Sequence, residues 1–183
     1  MIEVRNVVKR FGGVVAVDGC TLDVAPGSMT GLIGPNGAGK TTLLKLIAGF
    51  FPPTSGSILL SGRDVTGRRT DELFHLGLAR TFQTPRVFAD LPVRENIRFG
   101  LKFAGRRPRK YVLWGDEQGV PWALRNEDGI LQLIGLAHLA DLPAAAITPS
   151  QQRLLEIGMA LAKRPRLLLL DEVAAGLTEI EVE

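Results

Sequence analysis

Residues 34–41 read Gly34-Pro35-Asn36-Gly37-Ala38-Gly39-Lys40-Thr41, the spacing G-x-x-x-x-G-K-[ST] of a phosphate-binding loop. Ahead of it, Met29-Thr30-Gly31-Leu32-Ile33 is a short apolar run that predicts a strand. Behind it, Lys40 to Phe50 carries apolar residues at helical spacing. Strand, glycine loop and helix in this order are the setting the motif requires. Glycines let successive backbone N–H groups turn toward one anion, and the helix N-terminus adds its partial positive charge. Lys40 then meets the β and γ phosphates, and the Thr41 hydroxyl, with Thr42 beside it, faces a bound magnesium ion.

A phosphate loop of this kind needs a carboxylate at a second place for magnesium. Leu167-Leu168-Leu169-Leu170-Asp171-Glu172 supplies an apolar strand that ends in two acids. Asp171 is the candidate for the metal shell. Glu172, one residue on, is the candidate general base for a water attacking the γ phosphate. The unalternating run from Arg166 to Asp171 predicts a strand buried on both sides.

Working outward, Ile2 to Val8 and Val14 to Val24 are rich in β-branched residues and punctuated by Gly12-Gly13 and Pro26-Gly27, so they read as antiparallel strands. Ser57 to Leu60 reads as another strand. Thr70 to Leu76 reads as a short helix with Thr70 as N-cap and Asp71-Glu72 in its first turn. From Val93 to Leu139 the pattern is helical, with one helix opening at Arg94 and another over Asp128 to Ile134. Gln151 to Ala162 places Leu154, Leu155, Ile157, Leu161 and Ala162 on one helical face.

The composition agrees with a folded chain. With 183 residues, 45% hydrophobic and 22% charged, disorder and fibrous repeats are excluded, and one domain, or one with a subdomain, is expected. Cys20 stands alone, so no disulfide framework exists and the thiol reads as a small buried hydrophobe. A net charge of +3 is too small to argue for nucleic acid or an anionic membrane unless the charges cluster. They cluster once, at Arg106-Arg107-Pro108-Arg109-Lys110 beside Tyr111 and Trp114, a solvated loop or a contact for headgroups or RNA. No apolar run approaches the roughly 18 residues of a spanning helix, so a membrane role is expected to be peripheral. Glu3 interrupts the start without an apolar core behind it, which predicts a cytoplasmic chain.

Taken in order, these motifs resemble the ATP-binding subunit of an ABC transporter over essentially the whole chain. The resemblance implies an α/β fold: a P-loop NTPase core, RecA-like, with a mainly parallel sheet flanked by helices, an N-terminal antiparallel β subdomain and a helical insertion. Residues 1–88 and 160–183 would form the core, and 89–159 the helical subdomain. Lys9-Arg10-Phe11-Gly12-Gly13 resembles the aromatic loop, which makes Phe11 a candidate for stacking on adenine; an ordinary core aromatic is the alternative. Ala79-Arg80-Thr81-Phe82-Gln83 resembles the Q-loop, which makes Gln83 a candidate for contact with the magnesium and the attacking water and for sensing the transport partner. Gly77 to Phe88, Leu91 to Asn96 and Ala174-Ala175-Gly176-Leu177-Thr178 are similar to the branch serving branched-chain amino acid uptake.

Two departures accompany the resemblance. Where relatives carry L-S-x-G-Q, here stand Ile147-Thr148-Pro149-Ser150-Gln151, and Val173 replaces the usual proline. In the family this loop presses on the γ phosphate held by the opposite subunit, so Ser150 and Gln151 are candidate nucleotide contacts, with Ser150 a good N-cap whose Cβ also crowds the approach. The second departure is the switch histidine, expected beyond the acidic pair; His75 and His138 both lie upstream and read as surface or structural imidazoles. The resemblance implies ATP and Mg2+, a homodimer or a heterodimer with a homologous ATPase subunit, transmembrane permease subunits, no nucleic acid, and a peripheral place on the cytoplasmic face of the inner membrane. Read this way, the chain is a larger ATPase domain cut after its catalytic carboxylate. It is expected either to hydrolyse ATP in a dimer or to be a truncated, degenerate nucleotide-binding module with little turnover.

Overall fold

A computed structural model describes residues 1–82, 84–102 and 121–171. The chain divides into two compact units, Met1–Leu78 and a second that begins at Ala79.

In the first unit, β1 (Ile2–Phe11) and β2 (Val14–Val24) form an antiparallel hairpin around Gly12. β3 (Ser55–Leu60) pairs antiparallel with the other edge of β1, and β4 (Arg63–Asp64) with β3, giving the order β2-β1-β3-β4. Ile2, Val4 and Val7 are buried, a pattern that breaks strict alternation. The reason is a bulge: Asn6 has φ +48°, the register shifts between Val4 and Val7, and the Asn6 N–H donates to Thr21 Oγ1 at 2.9 Å. The extra residue carries Val7 back to the core face.

The helix α1 (Lys40–Ile47) buries Leu43, Leu46 and Ile47. It stops short of the expected Phe50. Gly49 adopts φ +74°, and the N–H groups of Gly49 and Phe50 donate to Leu46 O (3.1 Å) and Lys45 O (3.0 Å), the Schellman closure that satisfies the last carbonyls. α2 (Thr70–His75) is capped by Arg69 rather than Thr70. Glu72 Oε2 accepts the Arg69 N–H at 3.1 Å, while the Thr70 hydroxyl donates to Ala48 O at 2.9 Å. Thr70 therefore ties α2 to the end of α1 instead of capping it.

The largest difference from the sequence reading precedes the glycine loop. Residues 29–33 form no strand, and Met29 and Ile33 are 100% and 94% exposed. An apolar run becomes a strand only by pairing, and no described strand lies alongside it.

The second unit contains α3 (Val93–Leu101), α4 (Glu127–Leu133) and α5 (Pro149–Ala162), together with β6 (Leu167–Leu169) and all but the first residue of its partner strand β5 (Leu78–Arg80). Its core gathers Val93, Ile97, Ile130, Leu131, Leu136 and Leu155. Helices α3 and α5 approach closely at Gly100, where a Cβ would come within 2.7 Å of Met159 O. β6 is less enclosed than expected: Leu167 and Leu168 are half-buried and Leu170 is 40% exposed, because β5 is its one neighbour in the described sheet. α5 begins two residues before the expected Gln151, since Pro149 occupies the first helical position, where its missing N–H costs nothing.

Candidate functional site

The glycine loop takes its shape from the backbone. Gly37 and Gly39 have φ +83° and +84°, values that residues with a Cβ rarely adopt. At Gly39 a second constraint applies: a Cβ would stand 2.3 Å from Ala16 O, on β2. Gly39 is the N-cap of α1, no side chain caps that end, and its first turn holds no acid. Such a helix start receives anions well. Ala38 N–H donates to Pro35 O at 3.2 Å, and the Lys40 ammonium folds over the loop to donate to Gly34 O (2.7 Å) and Pro35 O (2.8 Å). Residues 34–38, Asn36 included, are exposed, whereas Lys40, Thr41 and Thr42 are half-buried.

In the same unit, Phe11 is 48% exposed at the hairpin end. Its ring meets Phe51 edge-on at 5.2 Å between centroids, and Lys9 Nζ lies 5.0 Å from its centroid while donating to Pro52 O at 2.7 Å. Phe11 is thus neither a closed core aromatic nor a free ring; one side packs and the rest is open.

In the second unit, Asp171 is 5% exposed just beyond β6. Its N–H donates to Thr81 Oγ1 at 3.3 Å, and its carboxylate lies 3.8 Å from Arg80 Nη2. Burial pulls the Arg80 guanidinium below its ordinary pKa, against the opposing pull of Asp171 and Glu156. A carboxylate oxygen such as that of Asp171 is a hard donor of the sort Mg2+ takes alongside phosphate oxygens, and so, taken by itself in the first unit, is the Thr41 hydroxyl.

The signature-like turn is built around Thr148, not Ser150. The Thr148 Oγ1 accepts the Gln151 N–H at 3.2 Å, and Gln151 Oε1 accepts the Thr148 N–H at 2.9 Å: a reciprocal capping box. Ser150 sits second in the helix. Gln83 and Glu172 lie outside the described residues, as do the basic cluster 106–110 with Tyr111 and Trp114, and residues 173–178. His75 and His138 are exposed.

Three polar side chains escaped the sequence reading. Glu156 (5% exposed), Arg153 (6%) and Asn96 (0%) are buried among apolar neighbours. Glu156 Oε1 accepts the N–H groups of Phe82 (3.1 Å) and Arg86 (3.2 Å). Asn96 Oδ1 accepts the Phe88 N–H at 2.8 Å, and its amide donates to Phe88 O and Pro92 O at 3.2 and 3.0 Å. Arg153 and Glu156 stand three apart on α5 with Leu155 and Met159, which is the available signal: charges inside an apolar helical face are either misplaced or paired. Ile157, expected on the buried face, is half-buried instead.

An α/β fold with this glycine loop defines a P-loop NTPase. The sequence profile of the ABC transporter family matches residues 17–175. A probable branched-chain amino acid transport ATP-binding protein, LivG of Methanocaldococcus jannaschii, is 36% identical over 96% of this chain and 69% of its own length. A spermidine/putrescine import ATP-binding protein, PotA of Nitrosospira multiformis, is 36% identical over 97% of this chain and 45% of its own length. Among solved structures, the ADP conformation of an ATP-binding cassette of an ABC transporter superposes with a TM-score of 0.79 at 34% identity, covering 100% of this chain and 72% of that one. The chain belongs to the ABC transporter family, among its ATP-binding subunits, which are ATPases.

Proposed function

We propose that this chain binds Mg-ATP on the loop 34–41 and, in a dimer with a second copy or a homologous ATPase subunit, hydrolyses it to drive a membrane permease importing branched-chain amino acids or related small solutes. The observation that carries the reading is the pair of left-handed glycines, Gly37 and Gly39, opening an uncapped helix with Lys40 folded over them. Backbone N–H groups of the loop take the phosphates, and Lys40 exchanges its two carbonyl partners for phosphate oxygens. Phe11 lays the open side of its ring on adenine. Thr41 and Asp171 supply oxygens to Mg2+, which when bound offsets phosphate charge. Glu172 accepts the proton of the attacking water as the bond from the γ phosphorus to ADP breaks, and Gln83 orients that water. Gln151 Oε1 is committed to its cap, so α5 offers an opposite subunit the backbone of its first turn, where Ser150 stands.

The solute follows the relatives. LivG and BraF are named for branched-chain amino acids, while PotA and RbsA are named for spermidine/putrescine and ribose. The amino acid reading rests on the stretches 77–88 and 91–96 as well. Within the dimer the chain sits on the cytoplasmic face of the membrane; no helix among the described residues is long and apolar enough to cross it.

The test is calorimetric titration with Mg-ATP together with hydrolysis assays. Lys40→Ala is expected to abolish binding, and Glu172→Gln to keep binding while removing turnover; binding unaffected by Lys40→Ala contradicts the reading. A second reading, a nucleotide-binding module with little turnover, is favoured by the Cβ of Ser150 in the first turn of α5. Under it, Ser150→Gly raises turnover; under the first, it leaves turnover unchanged.

A further inference from the structure

We infer that Glu156, with Arg153, is a positioning residue for the loop that carries Gln83, holding the backbone on both sides of that glutamine. The inference rests on the role given to Gln83 in the proposed function. Glu156 Oε1 accepts the N–H of Phe82, one residue before Gln83, and the N–H of Arg86, three residues after it. Glu156 Oε2 lies 3.3 Å from Arg153 Nη1, and the same nitrogen donates to Phe82 O. Phe82 is therefore gripped through both its amide and its carbonyl by two side chains of α5. Its ring also meets two cations, with the Arg80 guanidinium 5.3 Å and that of Arg86 4.6 Å from the ring centroid.

A buried ion pair is weak evidence of stability, since apolar residues of similar volume often serve as well. Here the carboxylate does what no apolar residue can: it supplies acceptors to two backbone N–H groups that the loop leaves without a strand partner. Glu156 thus specifies one path for the loop. Downstream, Asn96 of α3 ties the same loop at Phe88 and Pro92. The arrangement also has a direction. α5 runs without interruption from Pro149 to Ala162, and Glu156 lies about 9 Å along it from Ser150 in the first turn. A shift of that turn moves Glu156 with it, and Glu156 moves the backbone next to Gln83.

Single-turnover Mg-ATP hydrolysis and ATP affinity in the full chain test this, using Glu156→Gln, Gln83→Ala and the double variant. Glutamine keeps one oxygen for both amides but turns an NH2 toward Arg153, so the loop folds and its hold loosens. Glu156→Gln is expected to lower the hydrolysis rate about fivefold with the ATP dissociation constant within about twofold, and to add less than about twofold in the Gln83→Ala background, since residues acting through one another are not additive. An equal fivefold loss in both backgrounds, or no loss in either, overturns the inference. Gln83→Ala alone leaving the rate unchanged instead defeats the role assigned to Gln83. Amide exchange provides a readout without any variant: the Phe82 and Arg86 amides are expected to exchange at least about tenfold more slowly than in an unstructured chain, and exchange at the unstructured rate overturns the clamp.

Discussion

The glycine loop of the first unit and the Gln83 loop of the second are shaped by opposite means. Gly37 and Gly39 set the first by what they lack: positive φ and a 2.3 Å approach to Ala16 O exclude a Cβ. The second is set by what is added, the buried side chains of Glu156 and Arg153, which reach its backbone from a helix far along the sequence, and of Asn96 on the helix that follows it. The first solution is local and compact in sequence. The second is distributed, and substitutions should therefore affect the two regions in different ways.

The largest effect is expected at Gly39. Gly39→Ala combines a forbidden contact with a left-handed backbone and is expected to cost about 4 kcal/mol in denaturant unfolding and to abolish ATP binding. A variant that melts like the parent would mean the loop is held by something other than its glycine geometry. Next comes Glu156→Ala, which takes the acceptor from the Phe82 and Arg86 amides and the carboxylate from beside Arg153, and is expected to cost about 3 kcal/mol. Replacing Arg153 and Glu156 together by leucine should recover much of that stability while turnover stays low; recovery of both would reduce the pair to packing. Asn96→Ala, removing a fully buried side chain that accepts the Phe88 N–H and donates to Phe88 O and Pro92 O, should cost about 2 kcal/mol. A cost near zero would place the hold on the loop with Glu156 alone.

The smallest effect belongs to the surface ion pairs of the second unit. Arg98 hydrogen bonds hold the Glu127 carboxyl below its ordinary pKa of 4.5, assisted by Arg94. A depressed carboxylate pKa contributes stability above the unfolded value and loses it as pH falls through the folded one. Glu127→Gln should therefore lower the melting temperature slightly near neutral pH and flatten its decline below pH 4.5, with high salt shrinking the difference. An unchanged acid limb would remove Glu127 from the account of acid stability.

The legibility of the two regions follows from the same contrast. Residues 34–41 were readable because glycine positions and Lys40 are dictated by backbone geometry within eight residues, and the β1–β2 hairpin because β-branched runs flank Gly12-Gly13. The strand expected at 29–33 was not recoverable, because pairing depends on neighbours rather than on the run itself. Thr148 rather than Ser150 is the N-cap because Thr148-Pro149-Ser150-Gln151 forms a capping box followed by a helix, a pattern present in the sequence. Glu156 and Asn96 were illegible for a deeper reason: their partners are backbone amides 74 and 8 residues away, and an amide carries no signature in sequence.

If the first region binds nucleotide while the second sets turnover, ATP dissociation constants and hydrolysis rates for Lys40→Ala and Glu156→Gln separate the two. Lys40→Ala is expected to weaken binding by at least about tenfold, whereas Glu156→Gln leaves affinity within about twofold and slows hydrolysis about fivefold. Loss of affinity with Glu156→Gln, or retained affinity with Lys40→Ala, would contradict that division.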